Sequence, residues 1–162
     1  GNWFRGGTQF DAECRMRFLA AHFTAARREC EAWMDEAEGA LALVLLLDQI
    51  PRNVFRGSAH AFASDGLARE YASRAVDAGF DARIDVPLRL FLYMPFEHSE
   101  DMADQDRAVA LFTAMGDAGY LDYARRHREV IAQFRRFPHR NAVLGRSSTP
   151  EEQAWLEAGG GF

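Results

Sequence analysis

Two stretches, Arg52-Asn53-Val54-Phe55-Arg56-Gly57 and Arg140-Asn141-Ala142-Val143-Leu144-Gly145, share the pattern Arg-Asn-x-x-x-Gly, and each follows a proline that closes an apolar segment. A guanidinium beside a carboxamide sets a planar fork of charged donors next to a donor and acceptor pair, which suits a carboxylate or a phosphate. The same residues can equally end two helices, with asparagine left-handed and arginine reaching back to free carbonyls. Asp48 adds to the first copy. It falls on the apolar stripe of Leu41, Val44 and Leu45, near the end of a helix, where a carboxylate is disfavoured and needs a cation. Arg52, four residues on, or Arg140 is expected to supply it through a bidentate contact. His139 adds to the second copy, and Glu97-His98-Ser99-Glu100-Asp101 brings further acid/base groups to the end of an apolar segment. The candidate ligand-binding residues are therefore Asp48, Arg52, Asn53, Glu97, His98, His139, Arg140 and Asn141.

Three functions fit these residues. In the first, a helical binding module uses the Arg, His and Asn side chains to hold a small anion or an acidic peptide end. In the second, a hydrolase-like enzyme lets His98 or His139 take a proton, with Glu97 or Asp48 orienting it and Arg140 stabilising an anion. In the third, an interaction scaffold uses arginines: seven lie between Arg125 and Arg146, against one acid, Glu129. On a helical wheel Tyr123, His127, Val130, Ile131, Phe134 and Phe137 share one face, while Arg125, Arg128, Arg135 and Arg136 fall opposite as a solvated stripe. His127, alone on that apolar face, reads as a satisfied core residue.

Composition removes several chemistries. All 19 basic side chains are arginine, so there is no lysine for a Schiff base, a phosphate loop or a general base. His98, Asp101, His127 and His139 match no zinc or di-iron spacing, and neither a metal nor an organic cofactor is implied. A net charge of −5 argues against nucleic acid as a partner. The longest apolar run, Ala40 to Leu47, is too short to cross a bilayer, so the expected place is the cytoplasm.

The elements that must position these residues are helices, since no segment alternates with period two for long enough to make a strand. The expected order is Gln9 to Cys30, Glu38 to Gln49 closed by Pro51, and Ala63 to Ala78 stopped by Gly79. A helix opened by Pro87, buried on all sides and closed by Pro95, follows. Ser99 then caps a helix from Glu100 to Met115, Tyr120 to Phe137 is basic and amphipathic, and the last helix starts at a Thr149 to Glu152 capping box behind Pro150. Cys14 and Cys30 on one helix would stand roughly 24 Å apart at 1.5 Å per residue, too far for a disulfide. With 162 residues, 48% of them hydrophobic, the chain is expected to form one all-α domain of antiparallel helical hairpins.

Three ordered blocks carry a resemblance: Leu47-Asp48-Gln49-Ile50-Pro51-Arg52-Asn53-Val54-Phe55-Arg56-Gly57, Phe91-Leu92-Tyr93-Met94-Pro95-Phe96-Glu97-His98-Ser99-Glu100-Asp101, and Arg136-Phe137-Pro138-His139-Arg140-Asn141. The chain resembles a bacterial family known only as domain of unknown function 924, from Trp3-Phe4 through Ser148-Thr149-Pro150-Glu151-Glu152. That resemblance implies a tetratricopeptide-like helical array with no assigned activity, substrate or catalytic residue. Similar proteins carry a further apolar segment before the Trp-Phe pair, so such an element is expected to precede Gly1.

Overall fold

The structure, a computed structural model, describes residues 7–162, and every regular element among them is helical. In chain order the α-helices are α1 (Thr8–Ala26), α2 (Ala37–Val54), α3 (Asp65–Asp77), α4 (Val86–Glu97), α5 (Met102–Met115), α6 (Ala118–Phe134) and α7 (Pro150–Glu157), with short 3-10 turns between several of them. The chain divides into two units, residues 1–95 and 96–162, and the division falls inside α4, away from any linker.

The first unit is built around α2, whose Leu43, Val44, Leu47 and Ile50 are buried. Contacts from α1 to α2 and its C-terminal corner run Asp11 to Arg56, Arg15 to the Val54 carbonyl and His22 to the Leu46 carbonyl, so the partner number falls as the residue number rises. That order makes the two helices antiparallel. The pairs Arg52 with Asp65 and Glu36 with Arg83 set the chain through α3 antiparallel to α2 in the same way.

Pro51 does not close α2, as its sequence position suggests; the helix runs on to Val54 with the proline inside. Proline has no N–H for the carbonyl four residues back, which here is Leu47. The Ser64 hydroxyl donates to that carbonyl at 2.6 Å, and the His22 ring donates from Nδ1 to the adjacent Leu46 carbonyl at 2.8 Å. Ser64 thus replaces the donor that the ring removes, and His22 adds a bond to the carbonyl beside it. The first helix is shorter than expected, ending at Ala26, because Arg28 takes a left-handed conformation with φ 61° and reaches Glu70 and Glu31. Cys14 and Cys30 therefore lie in different elements, and both are free thiols.

Pro95 likewise lies inside α4, which ends at Glu97. Its core face, Leu90 to Tyr93 and Phe96, is buried, but Val86 and Leu88 in the first turn are exposed, so the helix is not covered on all sides. In the second unit the fully buried Gln105 donates from Nε2 to the carbonyls of Glu97 at 2.6 Å and Ser99 at 2.7 Å, which satisfies acceptors the end of α4 leaves free. Ser99 is not the cap of α5. Asp101 is, accepting from the Ala103 N–H at 2.7 Å, while Ser99 accepts from the Asp101 N–H and donates to Asp104. Contacts of Asp106 with Arg128 and of Phe112 with Tyr120 make α5 and α6 antiparallel.

The basic helix α6 stops at Phe134, three residues before its expected end, because Arg135 is left-handed with φ 61°. Phe137 leaves the helix and enters the core beside Val130 and Ile131. The Thr149 capping box with Glu152 forms as its sequence predicts. No helix among the described residues is long and apolar enough to cross a membrane.

Candidate functional site

The first Arg-Asn corner is the last turn of α2. Asp48 is fully buried, and its carboxylate faces Arg52 Nη1 at 3.3 Å and accepts from Gln49 Nε2 at 2.6 Å. Arg52 also makes a bidentate pair with Asp65, at 2.9 and 3.0 Å. Burial opposes its charge, but Asp48 and Asp65 outweigh that cost and hold the guanidinium pKa above its ordinary value. Asn53 donates to the Gln49 carbonyl and accepts from Arg56, which is itself bidentate on Asp11. These hydrogen bonds are spent within the first unit.

The second corner repeats one part of this arrangement. Asn141 again accepts from a nearby arginine, here Arg146 Nε at 2.9 Å, and that arginine is again bidentate on a distant carboxylate, Glu100, at 2.8 and 2.9 Å. Glu100 also accepts from the Phe137 N–H. Burial works to raise the Glu100 pKa, but the hydrogen bonds from Arg146 and Phe137 and the charge of Arg140 bring it below the ordinary carboxylate value. Asn141 donates to Ser148 and to Glu152, and Glu152 holds Arg136 through two short contacts of 2.6 and 2.7 Å. Those bonds from Arg136, acting against burial, depress Glu152 to about 2. Arg136 is thus half withdrawn from the solvated stripe in which its spacing placed it.

Neither asparagine is left-handed. Asn53 is helical and Asn141 has φ −57°, while Gly57 and Gly145, at φ 78° and 66°, make the left-handed turn in each copy. The shared glycine is the conformational need behind the motif, and the shared asparagine is its arginine anchor.

The chemistry gathers elsewhere in the second unit. Glu97, at the end of α4, places Oε1 2.9 Å from His127 Nδ1, and both side chains are buried. The Tyr123 carbonyl lies 2.9 Å from the same nitrogen. A carbonyl can only accept, so Nδ1 carries a proton, and the neutral ring presents its lone pair at Nε2. Nε2 makes no hydrogen bond among the described residues. The His98 ring centre stands 6.3 Å from that of His127. His139 lies close by, its Nδ1 buried and without a hydrogen-bond partner among the described residues. Burial first, then the charge of Arg140 and the nearness of His127, push its pKa down to about 4. Arg140, buried, stacks over the Phe137 ring with Cζ 4.4 Å from its centre. No group of three or more His, Cys, Asp or Glu among the described residues is placed to hold a metal ion.

Of the eight candidate residues, Asp48, Arg52 and Asn53 come together in the first unit, and Glu97, His98, His139, Arg140 and Asn141 belong to the second. Sequence alone put His127 in the core, Glu100 in the polar group after α4 and Glu152 in a capping box, and marked none of them, nor Arg146, as a ligand residue. Neither His127 nor Glu100 gives a sharper local signal, because each owes its role to a partner from 30 to 46 residues away.

No curated protein matches the chain. A solved structure, that of a protein of unknown function, ATU0120, from Agrobacterium tumefaciens, is similar to it at 49% identity and a TM-score of 0.93, covering 96% of this chain and 88% of that one. The family described as bacterial protein of unknown function (DUF924) matches residues 1–160, and the chain belongs to that family.

Proposed function

We propose that the second unit binds a small ligand carrying an anionic group and a hydrogen-bond donor, and that His127 Nε2 accepts from that donor. One observation carries the reading: His127 Nδ1 lies between the Tyr123 carbonyl and the Glu97 carboxylate, each at 2.9 Å, which fixes the tautomer and leaves Nε2 as the ring's acceptor. Glu97 is then the orienting carboxylate. Arg140 supplies charge of the sign an anion needs, and His139, neutral above its low pKa, adds a polar edge without repelling a donor. The same pair could withdraw a proton from the ligand, so an acid/base reaction stays within its means. His127 takes the part that residue type alone gave to His98 or His139.

The first corner has a different role, since its carboxylates and guanidinium groups satisfy one another. A scaffold working through the arginine stripe is less favoured, because Arg128 is engaged by Asp106 and Arg136 by Glu152.

The test combines nitrogen-15 histidine spectra with a thermal-shift screen of small carboxylates and phosphates. His127 is expected as the Nδ1–H tautomer, Glu97→Gln to disturb it, and His127→Gln to abolish shifts that Arg52→Ala leaves in place. A protonated Nε2 in the neutral ring, or ligand shifts indifferent to His127→Gln, would sink the reading.

A further inference from the structure

The residues after α7 do not trail into solvent. Gly160 closes against the Trp155 carbonyl and lies so near the indole that an added Cβ would meet it at 2.3 Å. Gly159 and Gly161 have φ of 86° and 148°, values that side chains rarely allow, and Gly161 runs beside His139. Together they carry the Phe162 ring onto His127. The two rings are stacked, 3.6 Å between centres at an interplanar angle of 17°.

Four more groups surround that ring. Tyr123, Phe137 and His139 present their rings at 6.2, 6.0 and 5.9 Å, the last two nearly edge-on, and Arg126 holds Cζ 5.9 Å from the Phe162 centre. One stacked face, two edge contacts and a cation are the elements of an aromatic-binding box. Nevertheless Phe162 is 44% exposed, so it fills the box without being locked into it. Gly161 and Phe162 donate no backbone hydrogen bond among the described residues.

Arg126 supplies an independent observation. It has no carboxylate within salt-bridge distance among the described residues, and it lines a cleft of about 280 Å³ with Glu129, Gln133, Trp155 and residues 159–162. A guanidinium that no carboxylate of the described residues reaches within 4 Å, beside a box for a flat ring, suits a ligand that joins a ring to an anion.

The geometry points to a binding site for aryl carboxylates, whose ring takes the place of Phe162 on His127 while the carboxylate meets Arg126. The tail is then the internal occupant that a ligand displaces. This adds an aryl face to the ligand of the site proposed above and rests on the reading that His127 faces a ligand; phenylacetate, which lacks the hydrogen-bond donor, probes the ring and the carboxylate alone. Release asks little of the fold, since Gly159 and Gly161 give the segment its hinge and neither Gly161 nor Phe162 donates a backbone hydrogen bond among the described residues.

Phenylacetate is the probe and cyclohexylacetate its non-planar control, measured by calorimetry and by amide spectra on the full chain. Wild type is expected to bind phenylacetate with shifts at Gly159 to Phe162. Phe162→Ala is expected to bind it about tenfold more tightly, with about tenfold preference over cyclohexylacetate. Arg126→Gln in that background should remove most of the gain, and Arg125→Gln should not. Equal affinity of wild type and Phe162→Ala, or equal binding of the two acids, would overturn the proposal. So would a Phe162→Ala protein that is less stable and that phenylacetate does not restabilise, because Phe162 is then only an anchor. The His127 tautomer is read separately. A protonated Nε2 with intact ring binding would remove the base and leave the box, whereas the expected tautomer with no gain from Phe162→Ala would remove the box and leave the base.

Discussion

His139 is a residue whose surroundings strongly alter its ordinary chemistry. Its folded pKa of about 4 lies below the 6.5 of a free imidazole, so the unfolded chain takes up the proton first as pH falls. The stability it contributes is complete above pH 6.5 and is lost between 6.5 and 4. Replacing His139 by Gln should therefore flatten the fall of the urea midpoint across that window, and an unchanged slope would show that the group is not buried in its neutral form. At this scale the sequence was informative where a residue contradicted its own neighbours. Asp48 on an apolar stripe demanded a cation, and Arg52 supplies it. It was silent where a residue agreed with them. His127 sits comfortably on an apolar face, and nothing local reveals that Glu97 lies at hydrogen-bond distance.

At the scale of elements the prolines are instructive. Pro51 and Pro95 read as helix ends because the missing N–H is visible in the sequence, while the group that replaces it is not. For Pro51 that group is Ser64. Ser64→Ala should cost about 1–3 kcal/mol in urea unfolding by leaving the buried Leu47 carbonyl unsatisfied. The same change should cost clearly less in a Pro51→Ala background, where the restored N–H can reach the carbonyl; equal costs would separate Ser64 from the proline. Helix starts were more legible than helix ends. The capping box at Thr149 follows from local chemistry, and so, among the ends, does the stop at Gly79, whereas Arg135 ends α6 in a conformation for which its residue type gives no signal.

At the scale of the whole molecule, the absence of lysine makes arginine the common currency of internal cross-links. Arg56 with Asp11, Arg52 with Asp65, Arg146 with Glu100 and Arg136 with Glu152 are all two-pronged contacts of a kind lysine cannot make. The uneven charge along the chain is thus partly a matter of architecture. Arg128→Ala, which breaks an exposed pair with Asp106, should cost less than about 1 kcal/mol. Arg136→Ala strands the buried Glu152 and should lower the urea midpoint measurably more; equal effects would return Arg136 to the solvent stripe. The all-helical class and the pairing of successive helices were legible from apolar periodicity. The division at Pro95 was not, since it falls within a helix whose apolar pattern runs straight across it.

The contact between Gly160 and Trp155 gives the protein a built-in optical gauge. The indole lies directly beneath the tail, so its emission should depend on whether the tail is seated or lifted. With Trp3 and Trp33 replaced by phenylalanine, the remaining tryptophan would follow that motion without any attached dye, on the timescale of stopped-flow mixing.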